Sequence, residues 1–348
     1  MRQSKLLICI LIIFLSLQSY AEEVYPSCSD GLNFNLCAGI DGNIYLATKL
    51  NPHSRLFDRI ALYRISPESL TAERLFLARN SDSYIHLSAD TVYFFEKDAK
   101  WNGKWKLIGD HIWYSMSLDS ASQDRENWTF LQNNDGDHGY MRYVTTLTDT
   151  FAIVQESASD DVKDSSIFRY EYGKYTYLFD AWGGSDYQTF VRFRYKDDNG
   201  DSPFHIYDGR KNRFFDIDQS VTYSPAGILL GDKMYMHDRD GLLVYDVNTK
   251  ETTHLLAYDN EYSGQLCYDQ SLLYVVDRDG EKTNLFVYST VEEQFIDELH
   301  FETALAPCAY SLIVNKVLYN ADNPAEKVYV LNLETMQSTV IELDTKTR

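Results

Sequence analysis

The sequence predicts an all-β chain folded as a β-propeller of seven four-stranded blades, following a cleaved signal peptide. Three observations lead there. Short apolar or alternating segments, bounded by Asp, Asn and Gly turns, recur along the chain with the period of two that a strand requires. They return in the same order of four at intervals of about 45 residues, the spacing at which one sheet repeats in a propeller. No amphipathic helical stretches alternate with them, which excludes a parallel sheet with crossover helices.

The plainest unit starts at Ala226. Gly227 to Leu230 and Lys233 to Met236 give two strands, Asp238-Arg239-Asp240-Gly241 a turn, and Leu242 to Val247 and Thr252 to Leu256 two more. The order returns with Gln265 to Tyr268, Leu272 to Val276, the turn Asp277-Arg278-Asp279-Gly280, Asn284 to Tyr288 and Gln294 to Ile296. Ala306 to Tyr310 opens a further copy, continued by Lys316 to Tyr319, Lys327 to Leu333 and Ser338 to Ile341. Earlier third strands run Ile60 to Ile65, Ile112 to Met116, Ile167 to Tyr172 and Phe204 to Tyr207. Aligning Tyr63, Tyr114, Tyr170, Tyr207, Tyr245, Tyr288 and Leu331 gives separations of 51, 56, 37, 38, 43 and 43, so seven units fill the chain after the leader. Many of the 27 tyrosines recur at two blade positions, the third strand just named and Tyr45, Tyr93, Tyr235, Tyr274 and Tyr319 in the second. Repeated aromatics at matching positions predict packing between neighbouring sheets, with hydroxyls reaching polar partners at the edge.

On two stretches the chain resembles the broad group of propellers that includes WD-repeat, Tol-type and surface-layer-type proteins. Ser224-Pro225-Ala226-Gly227 is similar to the Ser-Pro-Asp-Gly turn of a Tol-type blade, and Leu242 to Thr249 to the outward strand and turn of many blades. The resemblance covers blades five to seven well and implies blade geometry, not an activity.

The leader is residues 1–21: Arg2 and Lys5, an apolar run from Leu6 to Leu15, and the small-x-small ending Ser19-Tyr20-Ala21. Cleavage after Ala21 and a periplasmic or secreted product follow. Residues 22–39 are then read as an N-terminal segment involved in ring closure and 40–348 as the propeller. The formal charge of the whole chain is −20, and the leader takes away two basic residues and no acidic one. Such acidity excludes a nucleic-acid binder, which needs a basic footprint. The absence of a later apolar run of membrane length argues against stable membrane insertion, and the acidic surface suits a monomer. Four cysteines remain, Cys28, Cys37, Cys267 and Cys308. In an oxidising compartment an even number predicts two disulfides. Three connectivities are open. Placing Cys37, Cys267 and Cys308 on first strands favours Cys267–Cys308 with Cys28–Cys37, against Cys37–Cys308 with Cys28–Cys267.

Chemistry is harder to find. His-Glu-x-x-His, Gly-x-Ser-x-Gly, Gly-x-x-x-x-Gly-Lys and the sialidase Asp-box are all missing, and the eight histidines are scattered. No cofactor is expected. Asp197 to Asp201 and Asn133 to Asp137 have the alternating oxygen ligands of a calcium loop, but after Asp201 comes Ser202 where a glycine is needed. The long separations point instead to insertions between second and third strands at Thr48 to Arg59, Lys97 to His111 and Glu156 to Ser165. These links leave a propeller by one face and would raise a shared rim on blades one to three. The blade-two link carries Lys100, Trp101, Lys104, Trp105 and Lys106, with Trp113 just beyond, a basic aromatic cluster in an acidic chain. Exposed tryptophans with cations suit protein hot spots and stacking on sugar rings. The alternative is that Trp101 and Trp105 fold back over the blade edge. The leading expectation is an exported, non-enzymatic propeller that binds a protein or glycan ligand of the cell envelope through this rim. An inhibitor or immunity protein that neutralises a toxin or hydrolase is a more specific version. A hydrolase or lyase with acids converging on the channel mouth is the competing class.

Overall fold

The computed structural model describes residues 36–346 except for links between strands, chiefly 51–58, 79–84, 102–106, 135–140, 146–150, 158–164, 187–190, 195–203, 209–212, 218–225, 258–264 and 306–309, and some shorter stretches. The leader expected at 1–21, and most of the segment expected to take part in ring closure, lie outside the described residues.

Blade one is β1 (Leu36–Ala38), β2 (Ile44–Leu50), β3 (Arg59–Ser66) and β4 (Thr71–Ala78). Blade two begins with β5 (Ile85–Leu87) and β6 (Thr91–Lys97), is interrupted by a small hairpin of β7 (Lys100–Trp101) and β8 (Leu107–Ile108), and continues with β9 (His111–Ser117) and β10 (Thr129–Asn134). Blade three is β11 (Met141–Thr145), β12 (Phe151–Ser157), β13 (Ser165–Glu171) and β14 (Lys174–Ala181). Blade four is β15 (Gly184–Asp186), β16 (Val191–Arg194), β17 (Phe204–Asp208) and β18 (Arg213–Asp216). Blade five is β19 (Ala226–Leu230), β20 (Lys233–His237), β21 (Gly241–Asp246) and β22 (Thr252–Ala257). Blade six is β23 (Gln265–Asp269), β24 (Leu272–Asp279), β25 (Lys282–Ser289) and β26 (Gln294–Phe301). Blade seven is β27 (Tyr310–Val314), β28 (Val317–Ala321), β29 (Lys327–Asn332) and β30 (Gln337–Glu342).

Among the described residues these strands make seven four-stranded antiparallel meanders, six of consecutive strands and one, in blade two, with the two-stranded sheet β7–β8 inserted between β6 and β9. Two boundaries differ from the sequence reading. Asp277-Arg278-Asp279 is strand rather than turn, because Asp277, Arg278 and Asp279 pair with Asn284, Thr283 and Lys282 and leave only two residues for the reversal. In blade seven the described strand that pairs with β28 is Tyr310 to Val314, later than the expected Ala306 to Tyr310, and 306–309, Cys308 among them, lie outside the described residues.

First strands of neighbouring sheets approach one another, β5 to β11, β19 to β23, β23 to β27 and β27 to β1, so in these sheets the first strand is the inner one. The cores lie between blades. Leu46, Tyr63 and Ile65 of blade one pack with Leu312, Val328 and Val330 of blade seven. Ile206 and Ile217 of blade four pack with Met234 and Tyr245 of blade five. Burying each such side chain stabilises by about 1.5–3 kcal/mol, so every blade is held chiefly by its neighbours.

The tyrosines behave as their periodicity predicts. In the third strand Tyr63, Tyr207, Tyr245 and Tyr288 are buried, as are Tyr45, Tyr235, Tyr274 and Tyr319 in the second. Tyr63 Oη donates to Asp344 O (2.7 Å) and Tyr245 Oη to Asp216 O (3.4 Å). Each of these hydroxyls thus bolts its blade to the end of the preceding blade's outer strand.

A second repeat is local. The turns from the third to the fourth strand in blades one, five, six and seven each contain a five-residue run, Ser66 to Leu70, Asp246 to Lys250, Ser289 to Glu293 and Asn332 to Met336, that ends on a left-handed residue with φ of 52, 62, 55 and 57°. That conformation costs a non-glycine residue about 1 kcal/mol. The polar residue opening each turn offsets it: Ser66, Asp246, Ser289 and Asn332 accept the N–H three residues on, at 3.3, 3.1, 3.1 and 2.8 Å.

Candidate functional site

In blades five, six and seven the third-to-fourth turn sits on the first-to-second turn of its own blade. Val247 N donates to Asp232 O, Thr290 N to Ser271 O and Leu333 N to Lys316 O, all at 2.9 Å. Both kinds of turn therefore share one face, and the second-to-third links leave by the other.

On that other face the three expected insertions differ. In blade one β2 continues to Leu50, and in blade three β12 continues to Ser157, so regular strand takes up part of each proposed insertion. The rest, 51–58 and 158–164, lies outside the described residues. The blade-two link is built as a hairpin. From the last pair of the main sheet, Lys97 with His111, the chain runs into β7 and returns by β8, with Lys100 opposite Ile108 and Trp101 opposite Leu107. Lys104, Trp105 and Lys106 belong to the five residues joining β7 to β8 and lie outside the described residues. Trp113 is not part of the link. It is in the main sheet on β9, opposite Phe95 on one side and Gln132 on the other.

Aromatic packing holds the middle of this sheet and its end away from the hairpin. Phe94 of β6 meets Phe76 of blade one at 5.0 Å, Tyr114 of β9 at 5.7 Å and, edge-on, Trp128 at 5.0 Å between centroids. Trp128 ends the long link 118–128 from β9 to β10, which contains a 3₁₀ turn, Arg125–Asn127, with Asp124 accepting Glu126 N at its start (3.1 Å). Arg125 lies over the Trp128 ring at 5.0 Å. Gln123 of the same link accepts Leu77 N of blade one (2.9 Å) and covers part of that outer strand's open edge. This link is part of the 56-residue interval that the sequence suggested was filled by second-to-third insertions. Blade two is enlarged at both ends.

Outside blade two, the polar groups serve the ring. Arg213 donates to Asp208 Oδ2 (3.1 Å) and also binds Asp232 and the carbonyl of Gly231, clamping blade four to blade five. Asp269, at the end of β23, accepts the backbone N–H groups of Asn315 and Lys316 in blade seven. Burial pushes its carboxyl above the usual carboxylate range despite those donors. Asp41 is also partly buried, yet hydrogen bonds from Asn43 and from Tyr45 Oη (2.8 Å) outweigh the burial and hold it below that range. Sequence reasoning missed all three. A charged residue beside a predicted turn was the available signal, and a surface residue gives the same signal. Among the described residues no cluster of His, Cys, Asp and Glu has a ligand set for a metal. Of the calcium-loop candidates, Asn133 and Asn134 are the end of β10, paired with Ile112 and His111, and 197–201 lies outside the described residues. Of the cysteines, Cys37 and Cys267 are both buried, in separate clusters, one between blades one and two and the other between blades six and seven.

No protein-family model matches the chain, and no curated protein does. Solved structures do. The β-propeller domain of the Trilobed protease from Pyrococcus furiosus, described as having an open velcro topology, aligns over 93% of this chain and 100% of that one, with a TM-score of 0.51 and 8% identity. The fold is a β-propeller. AztD from Citrobacter koseri aligns over 93% of this chain and 99% of its own, at 10% identity and a TM-score of 0.48. TolB from Acinetobacter baumannii aligns at 14% identity and a TM-score of 0.43, over 75% of this chain and 64% of TolB, so the propeller spans just under two thirds of that relative's length.

Proposed function

We propose that the protein is an exported, non-enzymatic propeller whose seven sheets are the blades of one ring, and that it binds a protein or glycan ligand of the cell envelope through the rim on blades one to three. Lys100, Trp101, Lys104, Trp105, Lys106 and Trp113 are the proposed contact residues. The observation that carries this reading is the blade-two hairpin: a link with its own strand pairing, whose sequence holds five of these basic and aromatic residues in a chain of net charge −20. A paired link loses less entropy on binding than an unpaired one. Export rests on the leader sequence. For the cysteines we propose a Cys267–Cys308 staple, because the inner strands of blades six and seven are in contact and Cys308 is two residues before Tyr310.

The test is capture from envelope extract and from isolated peptidoglycan, with the intact protein and with Trp101→Ala/Trp105→Ala side by side. The reading expects a species retained by the intact protein and lost by the variant. Equal retention by both would place binding elsewhere.

A further inference from the structure

We infer that Leu343–Lys346, the segment following β30, is a strap that locks the ring at the seam between blades seven and one, and that Arg74 is the residue specialised to hold it. Among the described residues no strand is exchanged across this seam, because β1–β4 and β27–β30 each make their own sheet of four consecutive strands. Closure therefore depends on side-by-side packing and on whatever crosses from one blade to the other. The crossing contacts converge on the strap. Leu343 is buried in the seam core, and its N–H donates to Glu326 O (2.9 Å). Tyr63 Oη donates to Asp344 O (2.7 Å), and Arg74 Nη1 to the same carbonyl (3.3 Å) and to Lys346 O. The Arg74 guanidinium is also 3.9 Å from the Asp344 carboxylate. Lys346 N donates to Asp344 Oδ1 (3.1 Å), which turns the strap back towards blade one. On the same face, in the link whose Glu326 accepts Leu343 N, Ala325 N donates to Thr48 Oγ1 at 2.7 Å in a buried bond, so the seam is pinned there as well.

The tyrosine bolt is common to the ring, since Tyr245 makes the same contact between blades four and five. The arginine is not. Tyr63 faces Arg74 across β3 and β4, and at the matching position Tyr207 faces Phe214, Tyr245 faces Thr252, Tyr288 faces Phe295 and Leu331 faces Ser338. One blade carries a cation there, and it is the blade that receives the strap. With five donors in a fixed fork, arginine can hold the carbonyls of both Asp344 and Lys346, which a hydroxyl or ring cannot.

Hydrogen exchange on the full chain tests this, comparing the wild type with Arg74→Met, Tyr63→Phe/Arg74→Met and, as a junction control, Tyr245→Phe. Loss of the charged hydrogen bonds is expected to speed exchange in β1–β4 and β27–β30 by at least about tenfold with β19–β22 unchanged. Tyr245→Phe is expected to loosen blades four and five instead. If the double variant does not fold, Arg74→Lys, which keeps the charge but not the fork, should show the same seam pattern more weakly. Exchange that rises equally in all blades, or does not change at the seam, would overturn the inference.

Discussion

Blade five and blade two share one meander and use it differently. In blade five the turn from β21 to β22 is a capped five-residue loop, and Met234, Tyr235 and Tyr245 go into the cores against blades four and six. In blade two both the second-to-third and the third-to-fourth links are long, and the aromatic residues of β6, β9 and the link 118–128 pack on one another as well as on Phe76 of blade one. Where the links are minimal, the side chains serve the ring. Where they are long, they build something upon it. A propeller can concentrate its specialisation in this way because each sheet needs only its two neighbours to stay folded.

The largest effect expected from this contrast is alkaline loss of the regular part of the ring. Burial raises the hydroxyl pKa of Tyr45 and Tyr63 in blade one, Tyr235 in blade five, Tyr274 (to about 12) and Tyr288 in blade six and Tyr319 in blade seven. A raised folded-state value means that the unfolded chain deprotonates first. The stability is fully present below pH of about 10, the unfolded value, and each tyrosine removes up to about 1.4 kcal/mol per pH unit above it until its folded pKa is reached. Unfolding followed against pH should steepen above that point, with tyrosinate absorbance appearing together with loss of structure. Gradual tyrosinate formation in a ring that stays folded would show these hydroxyls to be open to solvent.

Next in size is Trp128→Ala. It removes the centre of the blade-two aromatic cluster and should cost about 3–5 kcal/mol in denaturant unfolding. Because Trp128 stands at the end of the sheet away from the hairpin, the folded variant should keep its ligand retention. Loss of binding in the folded variant would show that the two ends of blade two are coupled. Smaller still is Asp246→Ala, which deletes the cap of the blade-five turn and should cost about 1 kcal/mol, read as a small fall in Tm with binding unchanged.

Much of the fold was legible because burial between blades imposes period-two strands and tyrosines at fixed positions, and both survive in a single sequence. Tyr63 and Tyr245 were found in this way. Boundaries set by pairing were less legible. Asp277-Arg278-Asp279 has turn composition, yet its register with Lys282, Thr283 and Asn284 makes it strand. The candidate site was legible only as composition. That Lys100 and Trp101 lie on a strand while Trp113 belongs to the blade depends on which segment His111 pairs with, and spacing does not encode that. Arg74 could not be found at all from one sequence, because its partners are backbone carbonyls about 270 residues away, as the chain separations of 270 and 272 record.

The most direct test of the account is to measure binding and stability together on Trp101→Ala/Trp105→Ala. The account predicts a Tm within about 2 °C of wild type, as for surface substitutions in general, together with loss of the captured envelope ligand. A large fall in Tm with binding intact would contradict it and show that the two tryptophans cover the blade edge.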